Sequence, residues 1–144
     1  MLTIETLAAG DRHDWERLFR AYIDFYNRTL PDERYERSWQ QFQEDERIHA
    51  RGAWLDGRLV GIVHFLRHPH TNAEDVCYLQ DLFTEPSVRG QGVGRALIAY
   101  VADWARERGC SRVYWHTQAS NEQARALYDQ VAEHRGFIVY HLDL

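Results

Sequence analysis

The stretch RGQGVG, Arg89 to Gly94, sets Gly90, Gly92 and Gly94 at alternate positions between an apolar run ending near Phe83 and a helical pattern beginning at Arg95. A strand that enters a helix through such a turn presents backbone N–H groups at the helix N-terminus, where the macrodipole is positive and the donors lack internal partners. Glycine removes the Cβ atoms that would hold a phosphate away from the backbone, and Arg89 and Arg95 bracket the turn with permanent charge. The expected chemistry is phosphate binding. Two nucleotide motifs do not fit: G-x-G-x-x-G fails because the position three after Gly92 is Arg95, and G-x-x-x-x-G-K-[ST] fails because the chain has no lysine. R-x-x-G-x-G does fit, as Arg89, Gly92 and Gly94.

A second group of residues could do metal chemistry. His64, His68, His70 and Cys77 are ligand types close in sequence. Their spacing follows no metal motif: His68 and His70 flank Pro69 in a predicted loop, and neither C-x-x-C nor H-E-x-x-H occurs, so no metal is expected. Cys77 and Cys110 stand in no disulfide spacing and no nucleophile context, which points to a reduced, cytoplasmic protein.

The elements that must position the turn follow from periodicity. LTIET alternates as a short strand, and Trp15, Leu18, Phe19, Tyr22 and Tyr26 recur at helical spacing behind Asp11. Pro31 opens a second predicted helix carrying Tyr35, Trp39 and Phe42. HARGAWL and RLVGIVHFLRH flank Asp56-Gly57, a hairpin signal, and VCYLQDLFT reads as a buried strand before Pro86. After the glycine turn, Leu97, Val101, Trp104 and Ala105 form one apolar stripe that Gly109 ends. RVYWHTQ reads as a strand, Ser120 and Gln123 have capping-box spacing before a helix with Leu127, Tyr128 and Val131, and FIVYHL reads as a last strand. The order β, α, α, β, β, β, α, β, α, β predicts an α/β domain over residues 1–144, with a mixed, mostly antiparallel sheet flanked by helices on both faces.

Composition narrows the partners. A chain of 144 residues with 44% hydrophobic residues suffices for one cored domain, and its net charge of −5 argues against coating nucleic acid. No apolar run approaches the about 20 residues that cross a bilayer, and the N-terminus MLTIETLAAG lacks a signal-peptide pattern.

DLFTEPSVRGQGVGRALI and VYWHTQASNEQARALYD, in this order and separation, resemble the pyrophosphate-binding segment and the following strand and tyrosine-bearing helix of the GNAT superfamily of acyl-CoA-dependent N-acetyltransferases. The likeness covers nearly the whole chain and is nearest the small polyamine, thialysine and histone-type enzymes. It implies that the amides of Arg89, Gly90, Gln91, Gly92, Val93, Gly94 and Arg95 hold the CoA pyrophosphate. It also implies that the backbone of Leu82, Phe83 and Thr84 pairs with the pantetheine arm and that Asn121 contacts the cofactor. Tyr128 matches the tyrosine that protonates the departing CoA thiolate; a phenol near pKa 10 stays protonated at neutral pH and can serve a thiolate near 8.5.

The reaction so implied is acetyl transfer from acetyl-CoA, a co-substrate, to a primary amine of a small molecule or peptide by direct attack in a ternary complex. An alkyl ammonium near pKa 10.4 must lose a proton before it attacks. Relatives often use a carboxylate on the strand before the turn, and Asp81 is the acid of VCYLQDLFT, although Gln80 stands where some relatives carry Glu. His116 and water are the other candidates. The first two helices wall the acceptor groove in the family, where Asp24, Asp32, Glu33 and Glu36 could attract a cation. A homodimer is expected, with the apolar edge FIVYHL covered by a second copy. The competing reading is a non-catalytic acyl-CoA sensor, which would not need an acid such as Tyr128 near the sulfur.

Overall fold

The computed structural model describes residues 1–144. Five strands form one sheet in the order β1 (Leu2–Thr6), β2 (His49–Leu55), β3 (Arg58–His68), β4 (Val76–Thr84) and β5 (Val113–Tyr114). The first four are antiparallel and β4 pairs with β5 in parallel. The β2–β3 hairpin turns at Asp56-Gly57, both with positive φ (51° and 82°), as a tight turn with this dipeptide requires.

Helices α1 (Arg12–Phe25) and α2 (Asp32–Glu44) cover one face of the sheet, and α3 (Val93–Glu107) covers the other, with α4 (Glu122–Val131) beside it. Two cores result. Trp15, Leu18, Phe19, Tyr35, Trp39 and Phe42 pack on Leu59, Ile62 and Phe83; Leu97, Val101 and Trp104 pack on Val60, Val63, Phe65, Cys77 and Leu79. The helical stripes and the strand alternation thus meet face to face, each fully buried aliphatic or aromatic side chain contributing about 1.5–3 kcal/mol.

A bulge in β4 decides what faces what. His64 is opposite Asp81, but Phe65 is opposite Leu79, so Gln80 is the extra residue. Before it, Cys77 and Leu79 point to the α3 core; after it, Phe83 points to the α1/α2 core, the parity having switched. Without the bulge, Asp81 and Phe83 would share the face of Cys77 and Leu79.

The expected strand RVYWHTQ shrinks to Val113–Tyr114, and the expected last strand FIVYHL is absent. Phe137, Ile138, Tyr140 and Leu142 are exposed instead. A strand needs a neighbouring edge to pair with, and β5 offers only two residues of edge within one chain. The expected Ser120 cap is also corrected: Asn121 is the N-cap of α4, and no side chain bonds there.

Candidate active site

The β4 bulge and the brevity of β5 open a gap in the sheet. The two strands pair only through Cys77 with Val113 and Tyr78 with Tyr114, so from Leu79 onward β4 has β3 on one side and no strand on the other. A cavity of about 510 Å³ occupies the gap. It is lined by Leu82, Phe83 and Thr84 of β4, by Arg89, Gly90, Gly92, Val93, Gly94 and Arg95 of the turn, by Asn121 and Tyr128 of α4, and by Tyr22 and Tyr26 of α1. Of the expected cofactor contacts only the exposed Gln91 is missing from this wall.

The turn has the backbone geometry that an anion cradle requires. Gly90 and Gly92 both take φ of 83°, a conformation costing an L-residue about 1–2 kcal/mol. Gly92 is the N-cap of α3, and the first backbone bond of the helix runs from the Ala96 N–H to the Gly92 carbonyl at 3.0 Å. The amides from Gly90 to Arg95 have no backbone acceptor, so an unshared row of donors meets the positive end of a fifteen-residue helix. Gly94 serves differently. A Cβ there would lie 3.3 Å from Leu127 Cδ2, so glycine lets α4 approach the turn and brings Tyr128 to the same cavity.

Tyr128 is half-buried against Trp115, ring centroids 5.4 Å apart, and burial, with a smaller contribution from Tyr26, pushes its phenol up to about 12. Tyr22 is raised further, first by burial and then by the Asp81 carboxylate, and it also feels Tyr26 and Tyr128. Tyr26 is raised by burial against the opposing influence of Asn121. Three phenols therefore line the way between Asp81 and α4. Arg17 holds α1 in place over the end of β4, donating to Glu85 at 2.8 Å and to the Leu59 carbonyl at 3.3 Å, while Arg58 also reaches Glu85 at 2.6 Å.

Asp81 is not part of the cavity wall itself. It lies one residue before Leu82, its side chain 16% exposed, with one carboxylate oxygen 2.8 Å from His64 Nδ1. Gln80 is exposed at the bulge. His116 stands apart, exposed, with Nδ1 3.2 Å from the Tyr78 hydroxyl. The histidines read as a metal-type cluster separate onto different partners: His64 on Asp81, His68 on Tyr114 at 2.6 Å, and His70 on Arg112 at 3.1 Å. Cys77 is buried in the α3 core, where burial pushes its thiol up to about 12. Asp32 and Glu36 are engaged by Arg20 and Arg12, which leaves Asp24 and Glu33 as the unpaired acids of that surface.

Tyr22 and Tyr26 belong to the same helical stripe as Trp15 and Phe19, yet they form a wall of the cavity. They continue the stripe of Trp15 and Phe19 at seven-residue spacing on α1, so residue type and spacing alone do not separate the cavity end of the stripe from its core end. His64 carries no role in the sequence reading, and a lone histidine inside the apolar run LVGIVHFL is the signal for a buried, partnered ring.

The profile of the Acetyltransferase (GNAT) family matches residues 15–132. The chain belongs to that family. Acetyl transfer from acetyl-CoA is accordingly its reaction class, which sets an enzyme above a non-catalytic acyl-CoA sensor. Among GNAT relatives it is 30% identical to a D-amino-acid N-acetyltransferase of Saccharomyces cerevisiae, over 96% of this chain and 89% of the yeast protein. It is also 30% identical to a thialysine N-epsilon-acetyltransferase of Caenorhabditis elegans, over 61% of this chain and 55% of that protein. An aminoglycoside N-acetyltransferase solved in complex with CoA superposes with a TM-score of 0.87 at 20% identity, over 99% and 95% of the two chains, a likeness of fold. No helix of this GNAT chain is long and apolar enough to cross a membrane.

Proposed function

We infer that this enzyme transfers the acetyl group of acetyl-CoA to a primary amine of a small molecule or peptide in a single ternary complex. The observation carrying this reading is the convergence on one cavity of the unshared amides of the glycine turn, the unpaired edge of β4 and the Tyr128 phenol. In this reading the turn from Arg89 to Arg95 binds the pyrophosphate, Leu82 to Thr84 pair with the pantetheine amides, and Asn121 contacts the cofactor beside them. The amine nitrogen attacks the thioester carbonyl carbon, the C–S bond breaks, Asp81 takes the amine proton directly or through water, and Tyr128 returns a proton to the sulfur. The acceptor enters past Tyr22 and Tyr26, whose π faces and the nearby Asp81 charge suit a cationic amine.

The test is release of free thiol from acetyl-CoA over a panel of a polyamine, a D-amino acid, thialysine and an aminoglycoside, classes acetylated by the relatives named above or implied by the resemblance. Acceleration by an amine is expected; thiol release indifferent to all of them would overturn the reading. For the cofactor site, Gly92→Asp should weaken CoA binding at least about 100-fold, because it combines left-handed backbone strain with an anion facing the phosphates. Gly92→Ala, which adds strain without charge, should fall between. Titration calorimetry with CoA measures both, and parental affinity in folded Gly92→Asp would remove the turn from the site.

A homodimer in a reducing, cytoplasmic setting completes the assignment. Phe137, Ile138, Tyr140 and Leu142 are exposed as an apolar segment while β5 offers an unpaired edge, and a second copy supplies what each lacks. Light scattering at micromolar concentration should report twice the chain mass. Replacing Ile138 and Tyr140 by Asp should yield the single-chain mass, and a parental protein already at that mass contradicts the dimer.

A further inference from the structure

His64 is the one ionisable side chain wholly buried in the α1/α2 core. Phe42 stacks on its ring at 4.2 Å and Phe19 meets it edge-on at 4.9 Å. Both ring nitrogens are nevertheless engaged. The indole N–H of Trp15 donates to Nε2 at 3.0 Å, and Nδ1 is 2.8 Å from the Asp81 carboxylate. An indole N–H can only donate, so Nε2 is the bare acceptor and the ring proton sits on Nδ1, from which it is donated to Asp81. The opposite tautomer would aim two N–H groups at each other and a lone pair at a carboxylate. An apolar side chain would fill this core without needing either partner.

We propose that Trp15 and His64 are positioning residues for the proton acceptor: Trp15 selects the His64 tautomer, and His64 locks the Asp81 side chain in the orientation that receives the amine proton. This rests on the reading of Asp81 as that acceptor. The need for such a lock comes from the bulge. Asp81 is the first residue after Gln80, on a strand whose outer edge is unpaired, and its cross-strand partner in the register is His64. From α1, Tyr22 and Tyr26 face the carboxylate, and Tyr78 lies near it on β4; none of these is a cation, and the only ionisable base in contact is His64. The array leaves the remaining carboxylate lone pairs to Tyr22 and to the incoming amine.

Nitrogen-15 NMR of histidine-labelled protein, with His64 assigned in the parental protein by the nuclear Overhauser contact of its ring with the Trp15 indole proton, reads the tautomer directly. A pyrrole-type Nδ1 and a pyridine-type Nε2 are expected, and a pyrrole-type Nε2 overturns the proposal even if no variant folds. Trp15→Phe leaves Asp81 alone to hold the tautomer and frees Nε2, and should lower kcat roughly 3- to 10-fold, measured with the best amine of the panel. His64→Leu should lower kcat roughly 10- to 100-fold with unchanged KM for acetyl-CoA. His64→Asn, whose amide nitrogen stands near the position of Nδ1 and can still donate to Asp81, should recover most of that loss. A packing role orders these two variants the other way, since Leu suits an apolar core and Asn does not, and that order overturns the proposal. Parental kcat in folded His64→Leu while Asp81→Asn is crippled removes the positioning role alone. Parental turnover in Asp81→Asn removes the underlying assignment of the base, and the proposal with it.

Discussion

Tyr128→Phe is expected to lower kcat by roughly 10²- to 10⁴-fold while leaving CoA affinity near the parental value. The substitution deletes one oxygen and keeps the ring that meets Trp115 at 5.4 Å, so the helix and the cavity wall survive it. What it removes, in the proposed mechanism, is a proton for the departing sulfur. Because burial holds the phenol up at about 12, the acid form persists across the working range, and deprotonation would switch it off only as pH rises through that value. The parental kcat should therefore show no descending limb from this group up to about pH 10. Steady-state kinetics with saturating acetyl-CoA, paired with CoA titration, checks both statements. Near-parental kcat in the Phe variant would make Tyr128 a packing residue, and a limb near neutral pH that vanishes with the hydroxyl would contradict the raised phenol.

Asp81→Asn is expected to cost roughly 10²- to 10⁴-fold in kcat/KM for the amine, with the deficit narrowing at alkaline pH. Asparagine keeps an oxygen that can accept from His64 Nδ1 at 2.8 Å, so the cross-strand contact and the bulge remain. If Asp81 is the proton acceptor proposed above, the variant depends on amine that is already neutral, a fraction that grows about tenfold per pH unit below the amine pKa near 10.4. The pH profile thus separates a lost base from a lost fold, since a misfolded variant gains nothing at high pH. His116→Gln serves as the comparison. Exposed and bonded to Tyr78, it should change kcat/KM for the amine less than about threefold.

The glycine turn was legible because alternate glycines before a helical stripe have few other uses, and the hairpin at Asp56-Gly57 was legible for the same reason of backbone conformation. The bulge at Gln80 was not. An inserted residue in a strand leaves no residue-type signature, yet it turns Asp81 toward His64 and sets the face on which the acid stands. Tyr22 and Tyr26 were hidden in an aromatic stripe that looks alike whether it faces a core or a cavity. His64 was drawn toward His68 and His70 by closeness in sequence, whereas strand pairing joins it to Asp81, 17 residues away. FIVYHL has the composition of a strand, but strand formation depends on a partner edge, and that is a property of the assembled sheet.

Direct transfer between acetyl-CoA and an amine is tested most directly by rapid mixing of enzyme and acetyl-CoA in stoichiometric amounts, with and without the best amine of the panel. Direct attack predicts no thiol and an unchanged protein mass until the amine is added, then thiol and N-acetylated amine in equal amounts. A burst of thiol before amine addition, with the protein one acetyl group heavier by intact mass, would contradict it.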